Sequence, residues 1–183
     1  MEKNDLRSAV MAELKAHAGT CEKKQGEAML YGMLFATPQW QNAKTIGTTI
    51  SMGFEVDTGP IIHQAFKEGK AVALPRVESP GLMAFYLWQA GDPLIASKFG
   101  ILEPDPLHAE KIPPECIGLL VVPGIAFGLR GFRIGFGGGF YDRYLAAFHG
   151  DTVALALPWQ IRSGWVSGIH DIPVGLVLQA PLH

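Results

Sequence analysis

Lys44-Thr45-Ile46-Gly47-Thr48-Thr49-Ile50-Ser51-Met52 is followed by Glu55-Val56-Asp57-Thr58-Gly59-Pro60 and then by Ala71-Val72-Ala73-Leu74. The first run is rich in threonine and isoleucine, whose branched side chains suit a pleated surface, and predicts a strand over 44–52. The second run is a turn, and its Pro60 fits the first position of a helix running to about Lys67 and closed by Gly69. The third predicts a short buried strand over 71–74. Strand, helix and strand in this order make a βαβ unit, which favours a parallel or mostly parallel sheet.

Toward the N-terminus, Leu6, Val10 and Leu14 recur every fourth position and predict a helix from Asp5 to His17. A second helix is expected from Glu22 to Phe35, with Met29, Leu30, Met33 and Leu34 on its packed side and Thr37-Pro38 as its stop. Toward the C-terminus, Leu82 to Trp88 predicts an aromatic strand. Asp92 to Pro114 is a long, proline-rich connection whose length points to function more than linkage. Further strands are expected at Ile117–Val122, Asp151–Leu157 and Gly175–Leu178. The expected class is α/β, with residues 1–183 forming one domain.

The chain has 183 residues, 48% hydrophobic and 17% charged, which is enough for one substantial core. Its formal net charge of −2 gives no basic footprint for nucleic acid. Cys21 and Cys116 follow no zinc or CxxC spacing and suggest a reducing compartment. A charged start and the lack of an apolar run of spanning length lead us to expect a cytoplasmic protein without a membrane partner.

The stretch Arg133-Ile134-Gly135-Phe136-Gly137-Gly138-Gly139-Phe140-Tyr141-Asp142 places four glycines in five positions between a predicted strand and a helix expected over Tyr141–Phe148. Glycine permits positive φ and close approach to a ligand, and amides opening a helix point at anions. No G-x-x-x-x-G-K-[ST] occurs. The third glycine of a dinucleotide fingerprint is replaced by Phe140. On its own the loop is compatible with a tight turn or an anion cradle. The histidines form no HExxH pair, and no G-x-S-x-G elbow is present.

The wider pattern is more specific. Pro123-Gly124-Ile125-Ala126-Phe127 followed by Gly131 to Leu145 resembles the signature of the 5-formyltetrahydrofolate cyclo-ligase family. Lys3-Asn4-Asp5-Leu6-Arg7 is similar to its N-terminal Lys-x-x-x-Arg element, and Glu55-Val56-Asp57-Thr58 to its acidic turn. Gly69-Lys70, Leu74-Pro75-Arg76, Gly100-Ile101-Leu102-Glu103-Pro104 and His170-Asp171 match further segments in order. The resemblance implies a three-layer domain with a mixed, largely parallel sheet, like the ribose-5-phosphate isomerase and CoA-transferase architecture. It also implies ATP- and Mg²⁺-dependent cyclisation of 5-formyltetrahydrofolate to 5,10-methenyltetrahydrofolate, by a monomer or weak homodimer. A non-catalytic folate- or nucleotide-binding module on this scaffold is the alternative.

By the same resemblance, Lys3, Asn4, Asp5, Leu6 and Arg7 bind ATP together with Arg133, Ile134, Gly135, Phe136, Gly137, Gly138, Gly139, Phe140 and Tyr141. Gly137, Gly138, Gly139 and Phe140 also meet the folate. Arg133 and Asp142 are the expected catalytic residues. Asp142 and Asp171 would hold Mg²⁺, which takes a few carboxylates and completes its shell with water and phosphate oxygen. Glu55 would accept paired N–H donors from the pterin, with Ile50 lining the same pocket. Met83, Phe85, Tyr86 and Trp88 offer flat apolar surface, but the motif selects none of them. Gly128, where the family commonly has aspartate, and the phenylalanines at 136 and 140, where it often has tyrosine, depart from the pattern.

Overall fold

The computed structural model describes residues 2–98, 100–128 and 130–181. Met1, Phe99, Leu129, Leu182 and His183, which the readings of the terminus, the 92–114 connection and the domain span include, lie outside the described residues. The chain begins with α1 (Lys3–Ala16), α2 (Cys21–Phe35) and α3 (Pro38–Asn42). Pro38 starts a new short helix where a stop was expected, because the Thr37 hydroxyl accepts the Trp40 N–H at 3.2 Å and caps it.

The βαβ unit forms as β1 (Thr45–Gly47), α4 (Gly59–Lys67) and β2 (Ala71–Ser79), with β1 and β2 parallel and Thr45 opposite Ala71. β1 ends well before Met52. Beyond it the backbone is satisfied by its own loop: the Ser51 N–H donates to the Thr58 hydroxyl at 3.1 Å, and that hydroxyl donates to the Thr49 carbonyl at 2.6 Å. β2 runs past Leu74 because it pairs antiparallel with β3 (Leu82–Trp88).

The 92–114 connection contains a hairpin, β4 (Leu94–Ala96) with β5 (Leu102–Pro104), and the short strand β6 (Lys111–Ile112). Then come β7 (Leu119–Val121), the hairpin β8 (Ala126–Phe127) with β9 (Arg133–Ile134), α5 (Phe140–Leu145), β10 (Asp151–Ala156) and β11 (Leu176–Gln179). The main sheet among the described residues is ordered β11-β10-β7-β1-β2-β3-β6, parallel from β11 to β2 and antiparallel at β3 and β6. It is a mixed, largely parallel sheet. α5 stops short of Phe148 because its last turn tightens: the N–H groups of Ala147 and Phe148 reach carbonyls only three residues back, each at 3.2 Å.

Strand alternation divides the core between two faces. Val72, Leu74, Leu119, Val121, Val153 and Leu155 pack with Leu30, Leu34, Trp40 and Ile61 beneath α2, α3 and α4. Ala73, Leu120, Ala154 and Ala156 pack with Phe85, Phe127 and Leu145 on the α5 side. Each fully buried large aliphatic contributes about 1.5–3 kcal/mol.

The packed side of α2 differs from expectation. Leu30 and Leu34 are buried, but Met29 and Met33 are 40% and 39% exposed, and Lys23, Gly26 and Glu27 are buried in their place. Gly26 explains the rotation, since a Cβ there would lie 2.9 Å from Leu157 Cδ2, so the helix approaches closely along that line. α1 packs Leu6, Val10 and Leu14 on Ile125, Ala126 and Ile134, which sets its first turn over the β8–β9 hairpin and the glycine loop beyond.

Candidate active site

The glycine loop leaves β9 at Ile134 and enters α5 at Phe140, with Gly137 and Gly139 at φ of 99° and 65°. Its start is tied to α1: Arg7 Nε donates to the Gly135 carbonyl at 2.7 Å, while another guanidinium N–H bonds Asn4 Oδ1. Lys3, one turn earlier, pairs with Asp171, whose Oδ2 also accepts the Gly168 N–H at 2.7 Å. Arg133 donates to the Ile172 carbonyl at 2.8 Å and to Asp142 Oδ1 at 3.1 Å, and that oxygen accepts the Ile172 N–H at 3.2 Å. Asp142 is thereby held beside the residue that follows Asp171. Two carboxylates distant in sequence meet around one backbone segment.

Within the N-terminal element the residues divide. Arg7 faces the loop, Lys3 faces Asp171, Asn4 steadies Arg7, Asp5 is exposed in the first turn, and Leu6 is 3% exposed in the core. The Arg133 guanidinium is buried, which pushes its pKa down against the opposing pull of Asp142. Its observed bonds position Asp142 and the 172 backbone. Burial would raise the Asp171 carboxyl, but the Lys3 ammonium and the Gly168 N–H hold it below the usual range. Tyr141 is pushed up by burial, its hydroxyl has no hydrogen-bond partner among the described residues, and Arg133 lies 5.9 Å from its ring centroid.

Asp142 and Asp171 each commit one oxygen to protein donors, leaving the other for a ligand. No group of three or more potential ligands among His, Cys, Asp and Glu occurs among the described residues. A two-carboxylate set fits Mg²⁺, which keeps several waters and phosphate oxygens in its shell.

Glu55 lies at a cavity of about 40 Å³ shared with Thr48, Thr49, Ser51, Thr58 and Gln160. Its Oε2 accepts the Met52 N–H at 2.7 Å, and burial raises its pKa above the ordinary value near 4.5, with the Met52 bond and the Lys23 charge opposing. Ile50 packs against the core instead, while its neighbours Thr49 and Ser51 line the cavity.

A groove of about 470 Å³ opens beside the glycine loop, walled by Met83, Phe85, Lys111, Phe140, Arg143 and Tyr144. The structure thus separates the aromatic-strand candidates. Met83 and Phe85 face the groove, Tyr86 donates its hydroxyl to Glu78 at 2.9 Å, and Trp88 donates Nε1 to the Asp92 carbonyl at 3.2 Å. The two departures at Gly128 and Phe136 also have local accounts. A Cβ at Gly128 would lie 2.9 Å from Trp165, whose ring fills that space, and Phe136, 47% exposed, stands 6.5 Å from Phe54 between centroids.

Sequence reasoning gave no role to Arg143, Gln160, Lys23 or Glu27. Arg143 bonds the carbonyls of Gly81 and Gly138, and Gln160 donates to the Gly124 carbonyl at 2.9 Å. Lys23 and Glu27 pair while buried. Only Arg143, adjacent to the glycine motif, carried any signal in the sequence.

Comparison with known proteins identifies the family. Residues 1–174 match the model of the 5-formyltetrahydrofolate cyclo-ligase family. A probable 5-formyltetrahydrofolate cyclo-ligase of Schizosaccharomyces pombe is 30% identical over 81% of this chain and 74% of its own. The Mus musculus 5-formyltetrahydrofolate cyclo-ligase is 30% identical over 96% and 92%. The solved structure of Aquifex aeolicus 5,10-methenyltetrahydrofolate synthetase superposes with a TM-score of 0.81 at 30% identity, covering 98% of this chain and 90% of that one. With the ordered motifs, the fold and nearly the whole length in agreement, the chain belongs to the 5-formyltetrahydrofolate cyclo-ligase family.

Proposed function

We propose that the protein is an ATP- and Mg²⁺-dependent enzyme that cyclises 5-formyltetrahydrofolate to 5,10-methenyltetrahydrofolate. The observation that carries this reading is the meeting of Lys3, Arg7, the glycine loop, Asp142 and Asp171 in one cluster beside the Glu55 cavity. The Phe54 ring, next to Glu55, stands 6.5 Å from the Phe136 ring of the glycine loop, so the two halves adjoin.

A formamide oxygen is a poor leaving group. The γ-phosphoryl of ATP is transferred to it, ADP departs, and the folate's nitrogen 10 attacks the activated carbon with loss of its proton. Phosphate then leaves with the former formyl oxygen. Transfer of this kind needs positioning and charge neutralisation more than a covalent nucleophile. Lys3, Arg7 and the loop amides hold the phosphates, and Arg133 fixes Asp142. Mg²⁺, held by Asp142 and Asp171, would offset charge on the phosphate oxygens. Glu55 receives the pterin, and the groove at Met83, Phe85 and Phe140 has the size of a small-molecule site.

One chain supplies these groups, so a monomer or weak homodimer suffices, on an architecture of the ribose-5-phosphate isomerase and CoA-transferase kind; the proposed location is the cytoplasm. Purified protein given Mg-ATP and 5-formyltetrahydrofolate is expected to produce the methenyl chromophore, with no product when ATP is omitted. Folded protein that binds both ligands yet makes no product would instead identify a binding module.

A further inference from the structure

Two side chains one turn apart on α2, Glu27 and Tyr31, hold one residue of the loop that carries Glu55. Glu27 Oε1 accepts the Asp57 N–H at 2.8 Å, and the Tyr31 hydroxyl donates to the Asp57 carbonyl at 2.6 Å. Both backbone groups of Asp57 are therefore held by a single helix. Lys23, one turn before Glu27, bonds the same Oε1, and the side chains of this pair are 7% and 8% exposed.

A buried ion pair is weak evidence for stability, because desolvating two charges offsets most of their attraction. Its place here has another explanation. Glu27 must be buried to reach the Asp57 N–H, and Lys23 compensates that buried charge. The loop is also closed on itself, since Ser51 and Thr58 exchange N–H to hydroxyl bonds at 3.1 Å in both directions. Glu55 sits inside this closure, its carboxylate steered by the Met52 N–H. A loop closed at its ends and bolted to a helix two residues past Glu55 has little freedom to move the carboxylate.

We infer that Lys23, Glu27 and Tyr31 are positioning residues that pre-set the Glu55 carboxylate for the pterin. The inference rests on the folate reading given above. Pre-organised groups bind without a further ordering cost, so loosening the loop acts on folate affinity and leaves the ATP side unchanged. Lys23 adds a second effect, since its charge favours the ionised form of Glu55.

The test compares steady-state kinetics and calorimetric folate binding for the parent, the pair variant Lys23→Met with Glu27→Leu, and Tyr31→Phe. The pair variant exchanges a buried ion pair for apolar volume, so its melting temperature is expected to stay within a few degrees of the parent's. Its KM and Kd for 5-formyltetrahydrofolate should rise about tenfold, while KM for ATP changes less than twofold. Tyr31→Phe, which leaves the ion pair intact, should raise the folate constants about threefold and serves alone if the pair variant does not fold. Unchanged folate constants in a folded variant would overturn the inference, as would equal rises for both substrates. Turnover and folate binding by the parent are scored separately, so failure of the cyclo-ligase reading is distinguishable from failure of the positioning role.

Discussion

Arg133 and Asp142 form a pair of unequal exposure, 3% and 30% for the side chains, and this asymmetry decides what each substitution does. Asp142→Ala strands a buried guanidinium and should cost about 2–3 kcal/mol, less than a fully buried pair because Asp142 is partly solvated. Asp142→Asn keeps an acceptor for Arg133 and for the Ile172 N–H, so its melting temperature should fall less while turnover drops at least about a hundredfold on the magnesium reading. Thermal melts beside kcat for both variants check this, and equal losses of activity and stability in Asp142→Asn would count against a metal role.

Glu55 gives a pH prediction from its raised pKa. The folded state holds the Glu55 proton more tightly than the unfolded chain does. Its contribution to stability is thus fully present below the unfolded value near 4.5 and is lost as pH rises through the higher folded value. On the proposed folate reading affinity runs the other way, because pterin N–H donors need the carboxylate. KM for the folate should rise as pH falls through the raised value, and Glu55→Gln should flatten that dependence. A KM profile identical in the variant would remove Glu55 from recognition.

Among the elements, α5 and the β2–β3 hairpin are joined by Arg143. Its Nε donates to the Gly81 carbonyl at 2.6 Å, and its Nη2 donates to the Gly138 carbonyl. In a planar trans peptide the carbonyl and the following N–H point oppositely, so holding the Gly138 oxygen turns the Gly139 N–H away from Arg143. Arg143→Met should raise KM for ATP about tenfold with little change in melting temperature, since the residue is solvent-exposed. Unaltered ATP kinetics would show that the clamp has no bearing on the loop.

Gly131 links different elements and should behave differently. It has φ of 81°, and a Cβ there would lie 2.3 Å from the Val174 carbonyl oxygen. Gly131→Ala should therefore destabilise the fold by about 2–4 kcal/mol through left-handed strain and a backbone clash, read as a lower urea midpoint.

The element scale also shows where sequence patterns misled. The four-residue period of α1 was legible because its buried face is uniformly apolar: Leu6, Val10 and Leu14. In α2 the buried face includes Lys23, Gly26 and Glu27, so an apolar count selected Met29 and Met33, which face outward. β1 was overextended because threonine and isoleucine favour strands, while the backbone after Gly47 bonds to its own loop.

For the whole molecule, the site closes only when the two ends of the chain meet, as Lys3 pairs with Asp171 and Arg133 gathers Asp142 to the backbone of Ile172. A ligand spanning these segments binds the folded chain alone. Mg-ATP at about a hundred times its Kd should stabilise by about 2.7 kcal/mol, or roughly 5–10 °C for a chain of this length. Lys3→Met should remove most of that shift without lowering the ligand-free melting temperature by more than about 2 °C. An unchanged ligand-induced shift would exclude Lys3 from the ATP site.

The sequence by itself determined the βαβ unit, the α/β class and the glycine-loop motif, because hydrophobic period, turn chemistry and glycine requirements are local properties of the chain. Tertiary structure alone decided that Asp142 is tied to the backbone next to Asp171, that Ile50 turns to the core while Thr49 and Ser51 line the cavity, and that Lys23 and Glu27 are buried beneath the Glu55 loop. The physical reason is common to all three. Each depends on which groups distant in sequence are left to satisfy a buried charge or a backbone donor, and no local pattern records that partner.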